Sequence, residues 1–231
     1  MQALLASVLI LVLIGCQAQP RPPADGGNTR EASGAAFQWP ADGREFLIDE
    51  AASELRIVVY PDGALARLGH AHVIGGPVVS GRIVLAELWE DSALRLTIDL
   101  RDLEVDRPAW RRDEGFERDP SDAAIAGTRE NLRSEAVLDV ANHPSIEVES
   151  LGLAGPRWQP DIDLRIRLRG VARELTVPVA LTLSNERILA IGKLSLRQSE
   201  FGLEPFSVAG GQLAVADRID MRFRIVATAS E

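Results

Sequence analysis

Three histidines, a single cysteine and a dense run of acidic residues are the parts of this 231-residue chain whose side chains could support chemistry. His70 and His72 stand two apart, so on a strand both imidazoles project from one face and could supply two ligands of a zinc site. Such a site needs at least a third ligand, and the remaining histidine is His143, just before Pro144. Two other readings stay open for His70 and His72: contact with the polar end of a bound molecule, or hydrogen bonds to a turn that begins at Gly69. No metal and no cofactor are expected. Asp102, Glu104, Asp106, Asp113 and Glu114 interleave with Arg101, Arg107, Arg111 and Arg112, the pattern of a solvated loop that neutralises itself. Trp110 and Phe116 within it either cap the domain or anchor the loop. The chain has no Gly-x-Ser-x-Gly elbow, and Ala209-Gly210-Gly211-Gln212 lacks the Lys and Ser or Thr of a phosphate loop, so it reads as a hairpin turn.

The cysteine has a more specific setting. Ala3 to Ile14 is almost purely aliphatic, and at about a dozen residues it is too short to span a bilayer as a helix but matches the apolar core of an export signal. Leu13-Ile14-Gly15-Cys16 resembles the bacterial lipobox, which implies that residues 1–16 are a lipoprotein signal peptide and that the thiol of Cys16 carries diacylglycerol. Met1-Gln2 supplies no basic residue, a departure from the usual signal. Gln17 rather than Asp follows the cysteine, and by the same resemblance this favours the outer membrane, facing the periplasm. Residues 17–43 hold Pro20, Pro22, Pro23 and Pro40 among Gly, Ala and Ser, the composition of a flexible tether, although part of Phe37-Gln38-Trp39 could pack on the domain. The formal charge of −9 falls entirely on the mature part and disfavours nucleic acid as a partner.

Elements with period two must position whatever site exists in residues 44–231. Asp161 to Arg169 alternates charge with Ile162, Leu164, Ile166 and Leu168, and Leu94 to Arg101 and Ile219 to Ile225 repeat the pattern. Further strands are read at Leu55–Tyr60, Val78–Leu88, Ser145–Ser150, Val177–Leu183 and Ile188–Leu196. Alternate positions carry Arg and Asp, which are read as the water-facing phase, so the apolar phase is expected to point inward. The expectation is a mainly β fold: an antiparallel, lipocalin-like barrel of about eight strands whose interior is either filled or holds one apolar ligand, with a two-sheet sandwich as the alternative. One helix is read between Ser121 and Leu138, opened by Asp119-Pro120-Ser121, with Ile125, Thr128, Leu132 and Ala136 on one side. One or two helices would then cap the barrel mouth.

Three segments carry a family resemblance. Arg133 to Ile146, with Asn142-His143-Pro144 before an extended run, is similar to the helix-to-strand segment of the YceI-like family. Gly170-Val171-Ala172-Arg173-Glu174-Leu175 resembles its central hairpin, and Arg197-Gln198-Ser199-Glu200-Phe201-Gly202 its late Phe-Gly element. With Phe46-Leu47-Ile48-Asp49 the likeness spans roughly Phe46 to Ala227. It implies binding of an apolar lipid inside the barrel, an isoprenoid quinone, a polyprenyl lipid or a fatty-acid derivative, for sequestration or transport, and it implies no catalytic residues. The ligand cavity is expected at Leu94, Leu96, Ile98, Ile125, Leu132, Leu164, Ile166, Leu168, Val179, Leu181 and Phe223, with His70 and His72 near the headgroup. The interior is aliphatic, since only 5% of residues are aromatic, which suits flexible chains better than flat rings. A metal-dependent envelope enzyme using His70, His72 and His143, or a purely structural envelope protein, is the alternative.

Cys16 is the sole acyl acceptor in the chain. Cys16→Ala should therefore block incorporation of labelled palmitate in a bacterial host, and label retained by the mutant would disprove the anchor.

Overall fold

The computed structural model describes residues 29–116 and 119–230, so Cys16 and most of the expected tether lie outside the described residues. The strands in chain order are β1 (Arg30–Glu31), β2 (Arg44–Ile48), β3 (Glu54–Val59), β4 (Pro61–Asp62), β5 (His72–Gly76), β6 (Val79–Leu85), β7 (Ala93–Asp99) and β8 (Glu104–Val105). They continue with β9 (Ser145–Ala154), β10 (Asp161–Leu168), β11 (Val171–Leu183), β12 (Arg187–Arg197), β13 (Ser207–Val208), β14 (Leu213–Val215) and β15 (Arg218–Ala229). Two α-helices, α1 (Pro108–Asp113) and α2 (Asp122–Arg133), lie between β8 and β9.

Eight of these strands close an antiparallel barrel in the order β2-β6-β7-β9-β10-β11-β12-β15, with β15 returning to pair β2. The open sandwich is thereby excluded. Near Met221, β15 pairs instead with β3, which carries β5 and then β8 outward as an extension of the same sheet. A small second sheet, β13-β14-β4, stands at that end. The hairpin between β10 and β11 has two central residues, Arg169 (φ 48°) and Gly170 (φ 78°), both left-handed as the tight turn compatible with strand twist demands. Among the described residues, no helix is long and apolar enough to cross a membrane.

The alternation read from sequence sets the two faces. Ile162 and Ile166 are buried in the main core, while Arg167 on the other phase is half exposed. Arg165 departs from that expectation. It faces outward, yet it is only 7% exposed, because residues 30–39 cross the outer wall above it. Strand β1 adds to β11, and Arg165, Glu174 and Arg30 sit side by side on three adjacent strands. Glu174 is 1% exposed and accepts from Arg165 Nη2 (2.8 Å), Arg30 Nε (3.2 Å), and the amide and hydroxyl of Ser33 (2.8 Å each). Arg165 also donates to the Ala35 carbonyl at 2.7 Å. Farther along, the Phe37 ring lies under Arg95 (4.2 Å) and the Trp39 ring under Arg82 (4.0 Å). The part of the expected tether from Arg30 onward is thus laid on the barrel, and Phe37 and Trp39 do pack there.

The helix differs at its end. Ser121 caps α2 by accepting from the Ala124 amide at 3.2 Å, as the start signal implies, but the helix stops at Arg133, before Leu138. The Ser134 hydroxyl and amide both donate to the Asn131 carbonyl, closing the last turn, and the chain to Asn142 runs as turns with Asp139 at φ 47°. The sequence reading omitted α1, β5 and the barrel strand β2, and it placed Leu55–Tyr60 among the main strands although β3 lies in the extension of the sheet.

Burial opposes ionisation of Glu174, but donation from Ser33, Arg165 and Arg30 outweighs it and lowers the carboxyl from its ordinary 4.5 to about 2. A lowered carboxyl stabilises the fold above its unfolded value and loses that contribution as the pH falls toward the folded one. Stability should therefore fall between about pH 4.5 and pH 2, and Glu174→Gln should remove this part of the acid titration. Denaturant melts at neutral pH should also show Arg165→Ala losing about 3 kcal/mol, because a buried charge is left short of its partner. Arg167→Ala should lose less than about 1 kcal/mol, its pair with Glu147 being exposed.

Candidate functional site

The barrel axis passes through four zones. At the β2 end, Phe46, Ile83, Ile188 and Ala227 form a solid plug. Next comes a cavity of about 110 Å³ whose sixteen lining residues are all apolar. The third zone divides the two spaces, because β3 carries Leu55 on the cavity, half-buried Ile57 against the core and Val59 at the mouth. Ile57 pairs with Met221 on one side and Ile74 on the other, so these three side chains lie between the two spaces. The fourth zone is a mouth cavity of about 260 Å³.

Of the expected cavity residues, Leu94, Leu96, Ile98, Leu164, Ile166, Val179 and Phe223 line the inner cavity. Phe223 reaches into it because its cross-strand neighbour is Gly192, where a Cβ would sit 2.4 Å from the ring. Leu132 lines the mouth cavity instead, and Ile125 and Leu168 pack against the core without lining either space. Leu181 belongs to the plug: it lies beyond Val179 on β11, toward the closed end, and packs on that cluster. Leu55, Val79, Leu194, Met221 and Ile225 complete much of the inner wall. Their strands were legible, but one-sided burial does not reveal how far along a strand the empty space extends.

His70 and His72 both reach the mouth cavity, with ring centroids 6.4 Å apart, but in different ways. His70 is exposed in the turn before β5. His72 is in the strand, opposite Val59, with its side chain 15% exposed. Its Nδ1 lies 2.5 Å from Asp106 Oδ2 and its Nε2 3.5 Å from the Thr128 hydroxyl of α2. That hydroxyl donates to the Ala124 carbonyl at 2.9 Å.

Asp106 corrects the solvated-loop reading. It is fully buried, takes a left-handed φ of 55° and accepts from the Val73 amide (2.9 Å) and Arg111 Nη1 (2.8 Å) as well as facing His72. Burial would raise its carboxyl, but His72, the Val73 amide and Arg111 together lower it. Arg111 is itself buried and reaches the Ala71 carbonyl at 2.7 Å. Trp110 anchors α1, buried beside the guanidiniums of Arg56 and Arg107, and Phe116 meets Tyr60 edge-on at 6.4 Å. His143 does not join the other histidines; its Nε2 is 4.0 Å from Asp139. The zinc reading thus loses its third histidine. Among the described residues, no group of three or more His, Cys, Asp or Glu could hold a metal ion.

Comparison with known proteins agrees with this architecture. The fold matches Burkholderia cenocepacia BcnA with a TM-score of 0.59 at 15% identity, covering 78% of this chain and 98% of that one. It also matches a polyisoprenoid binding domain from Saccharophagus degradans implicated in plant cell wall breakdown, with a TM-score of 0.56 at 18% identity, covering 82% of this chain and 100% of that one. No curated protein shows significant similarity to the chain. The profile of the YceI-like domain matches residues 46–227, from the first barrel strand to the last. With most of its length matched and the barrel in place, the chain belongs to the YceI-like family.

Proposed function

We propose that this protein holds the apolar chain of a lipid, isoprenoid or acyl, inside its barrel, and that it does so as a lipid-anchored protein of the bacterial envelope facing the periplasm. The observation that carries the lipid reading is the inner cavity: an empty space walled only by apolar side chains, aligned with a wider mouth. A chain drawn into it gains roughly 25 cal/mol per Å² removed from water and needs no polar contact there. The solved relative from Saccharophagus degradans is a polyisoprenoid binding domain, which favours an isoprenoid over an acyl chain. The envelope placement rests on the sequence around Cys16.

Size adds a condition. A dry cavity near 150 Å³ takes a ligand of benzene size, and ordinary ligand pockets measure roughly 300–1,000 Å³. The inner space alone, at about 110 Å³, therefore admits only the tip of a chain. The rest must occupy the mouth cavity and displace the layer between. Met221 suits that role, because an unbranched thioether repacks with little strain.

The test is extractable lipid per folded protein after expression in a host that makes quinones and polyprenols. Ile98→Trp fills the inner cavity and should strip most of the lipid while the protein still folds. Ile57→Ala opens the dividing layer and should keep or raise occupancy, although such truncations cost about 2–5 kcal/mol of stability. Equal lipid in wild type and both variants, or none in any, would show a packed core and end the proposal.

A further inference from the structure

We infer that the mouth cavity is a headgroup site that selects a neutral hydroxyl donor, an alcohol or phenol at the end of the apolar chain, and that His72 Nε2 is the atom that receives the hydrogen bond. The inference deepens the lipid-binding proposal and rests on it.

The tautomer is fixed by what lies behind the ring. Asp106 is held as a carboxylate against burial, and at 2.5 Å from Nδ1 it requires the proton on that nitrogen. Arg111, buried beside it, pairs with the carboxylate through Nη1 and reaches Asp119 through Nε; because Asp119 is exposed to water, the buried guanidinium is the counter-charge of the buried carboxylate. A neutral ring protonated at Nδ1 presents a bare lone pair at Nε2. The nearest side-chain partner cannot serve it: the Thr128 hydroxyl is 3.5 Å away and spends its hydrogen on the Ala124 carbonyl. Two acceptors, Nε2 and Thr128 Oγ1, thus face one mouth.

The rest of the lining points the same way. Val59, Ile74, Leu132 and Leu213 make the mouth largely apolar, Tyr60, His70, Asn131 and Gln198 add uncharged polar groups, and no Arg or Lys lines it. A phosphate or diphosphate headgroup would find no cation there, and burying its charge uncompensated is prohibitive. A carboxylate meets the same objection. A hydroxyl is small, uncharged and can donate the hydrogen that Nε2 lacks. The assignment also separates the two histidines: exposed His70 stands at the rim, whereas His72 alone is oriented from behind by buried groups.

The experiment compares all-trans-geranylgeraniol with its methyl ether, which keeps the chain and an acceptor oxygen but has no hydrogen to donate. Dissociation constants would be measured by isothermal titration calorimetry on full-length protein, alongside a phenol carrying the same chain. Wild type should bind the alcohol and the phenol about tenfold more tightly than the ether. His72→Phe should bind all three alike, at the affinity wild type shows for the ether. In ¹⁵N-labelled wild type, the His72 Nε2 resonance should move on adding alcohol and not on adding ether, a readout that needs no variant. Equal binding of alcohol and ether to wild type overturns the headgroup assignment while leaving lipid binding standing. A preference that survives in His72→Phe overturns the role of His72. Failure of wild type to bind any probe removes the lipid-binding proposal, and this inference with it.

Discussion

Closure between β12 and β15 is the constraint on which the rest of the structure depends. The two strands pair along their full common length, from Arg187 opposite Thr228 to Arg197 opposite Arg218. Without that ladder, the apolar phase of every barrel strand would face water and two long edges would lie open. With it, the same side chains surround a volume, and the register decides where that volume is filled. Ile188 opposite Ala227 builds the plug, Gly192 opposite Phe223 makes room for a ring, and Leu194 opposite Met221 marks the approach to the mouth. Plug, cavity and mouth are three stretches of one ladder.

Closure also leaves the outer wall to charge, and there one row of cross-strand neighbours does more than stay soluble. Arg82, Arg95, Glu149, Arg165, Glu174 and Arg30 are successive partners across six strands. Residues 30–39 run along this row, with Ser33 on Glu174, Ala35 on Arg165, Phe37 on Arg95 and Trp39 on Arg82. An isolated buried ion pair seldom repays its desolvation. Here the carboxylate accepts several hydrogen bonds, so burial is matched by donation and the strap's course is fixed by groups that fit only one register. Should Cys16 carry the anchor, the lipid-linked chain joins the barrel at this wall and not at the β2 strand itself.

What the sequence disclosed follows from how each element is stabilised. Strands buried on one side declare themselves by alternation, which is why β7, β10 and β15 were legible almost residue by residue. Strand β5 was not, because His72-Val73-Ile74-Gly75-Gly76 breaks the alternation: Val73 and Ile74 are both buried, one under the outer α1 segment and one toward the interior. Gly75 is required because a Cβ there would lie 2.0 Å from the Leu55 carbonyl oxygen, a close approach that no local pattern announces. The buried roles of Asp106 and Glu174 were equally hidden. Each resembles its charged neighbours in sequence, and each is defined by partners from elsewhere: Glu174 by Ser33, 141 residues away, and Asp106 by His72, 34 residues away. Leu181 was misplaced for a related reason, since periodicity reports which face a residue occupies but not its height along the axis.

That height separates affinity from selectivity. In the inner cavity every contact is apolar, so a ligand gains in proportion to the area it buries, and chains of equal length and width gain nearly alike. Such a wall can measure length and bulk but cannot distinguish one terminal group from another. Discrimination requires a polar atom whose loss of hydration is made good by one headgroup and not by its rivals, and the penalty for a mismatch is larger than the reward for a match. Only the mouth contains atoms of that kind, and among them His72 is held from behind by a buried carboxylate that is itself held by a buried guanidinium. Rigid support of this sort would be wasted on a side chain that merely filled space. On the lipid-holding proposal, this buried pair stands where the apolar wall ends, the level of the barrel at which a chain's head would be told from its tail.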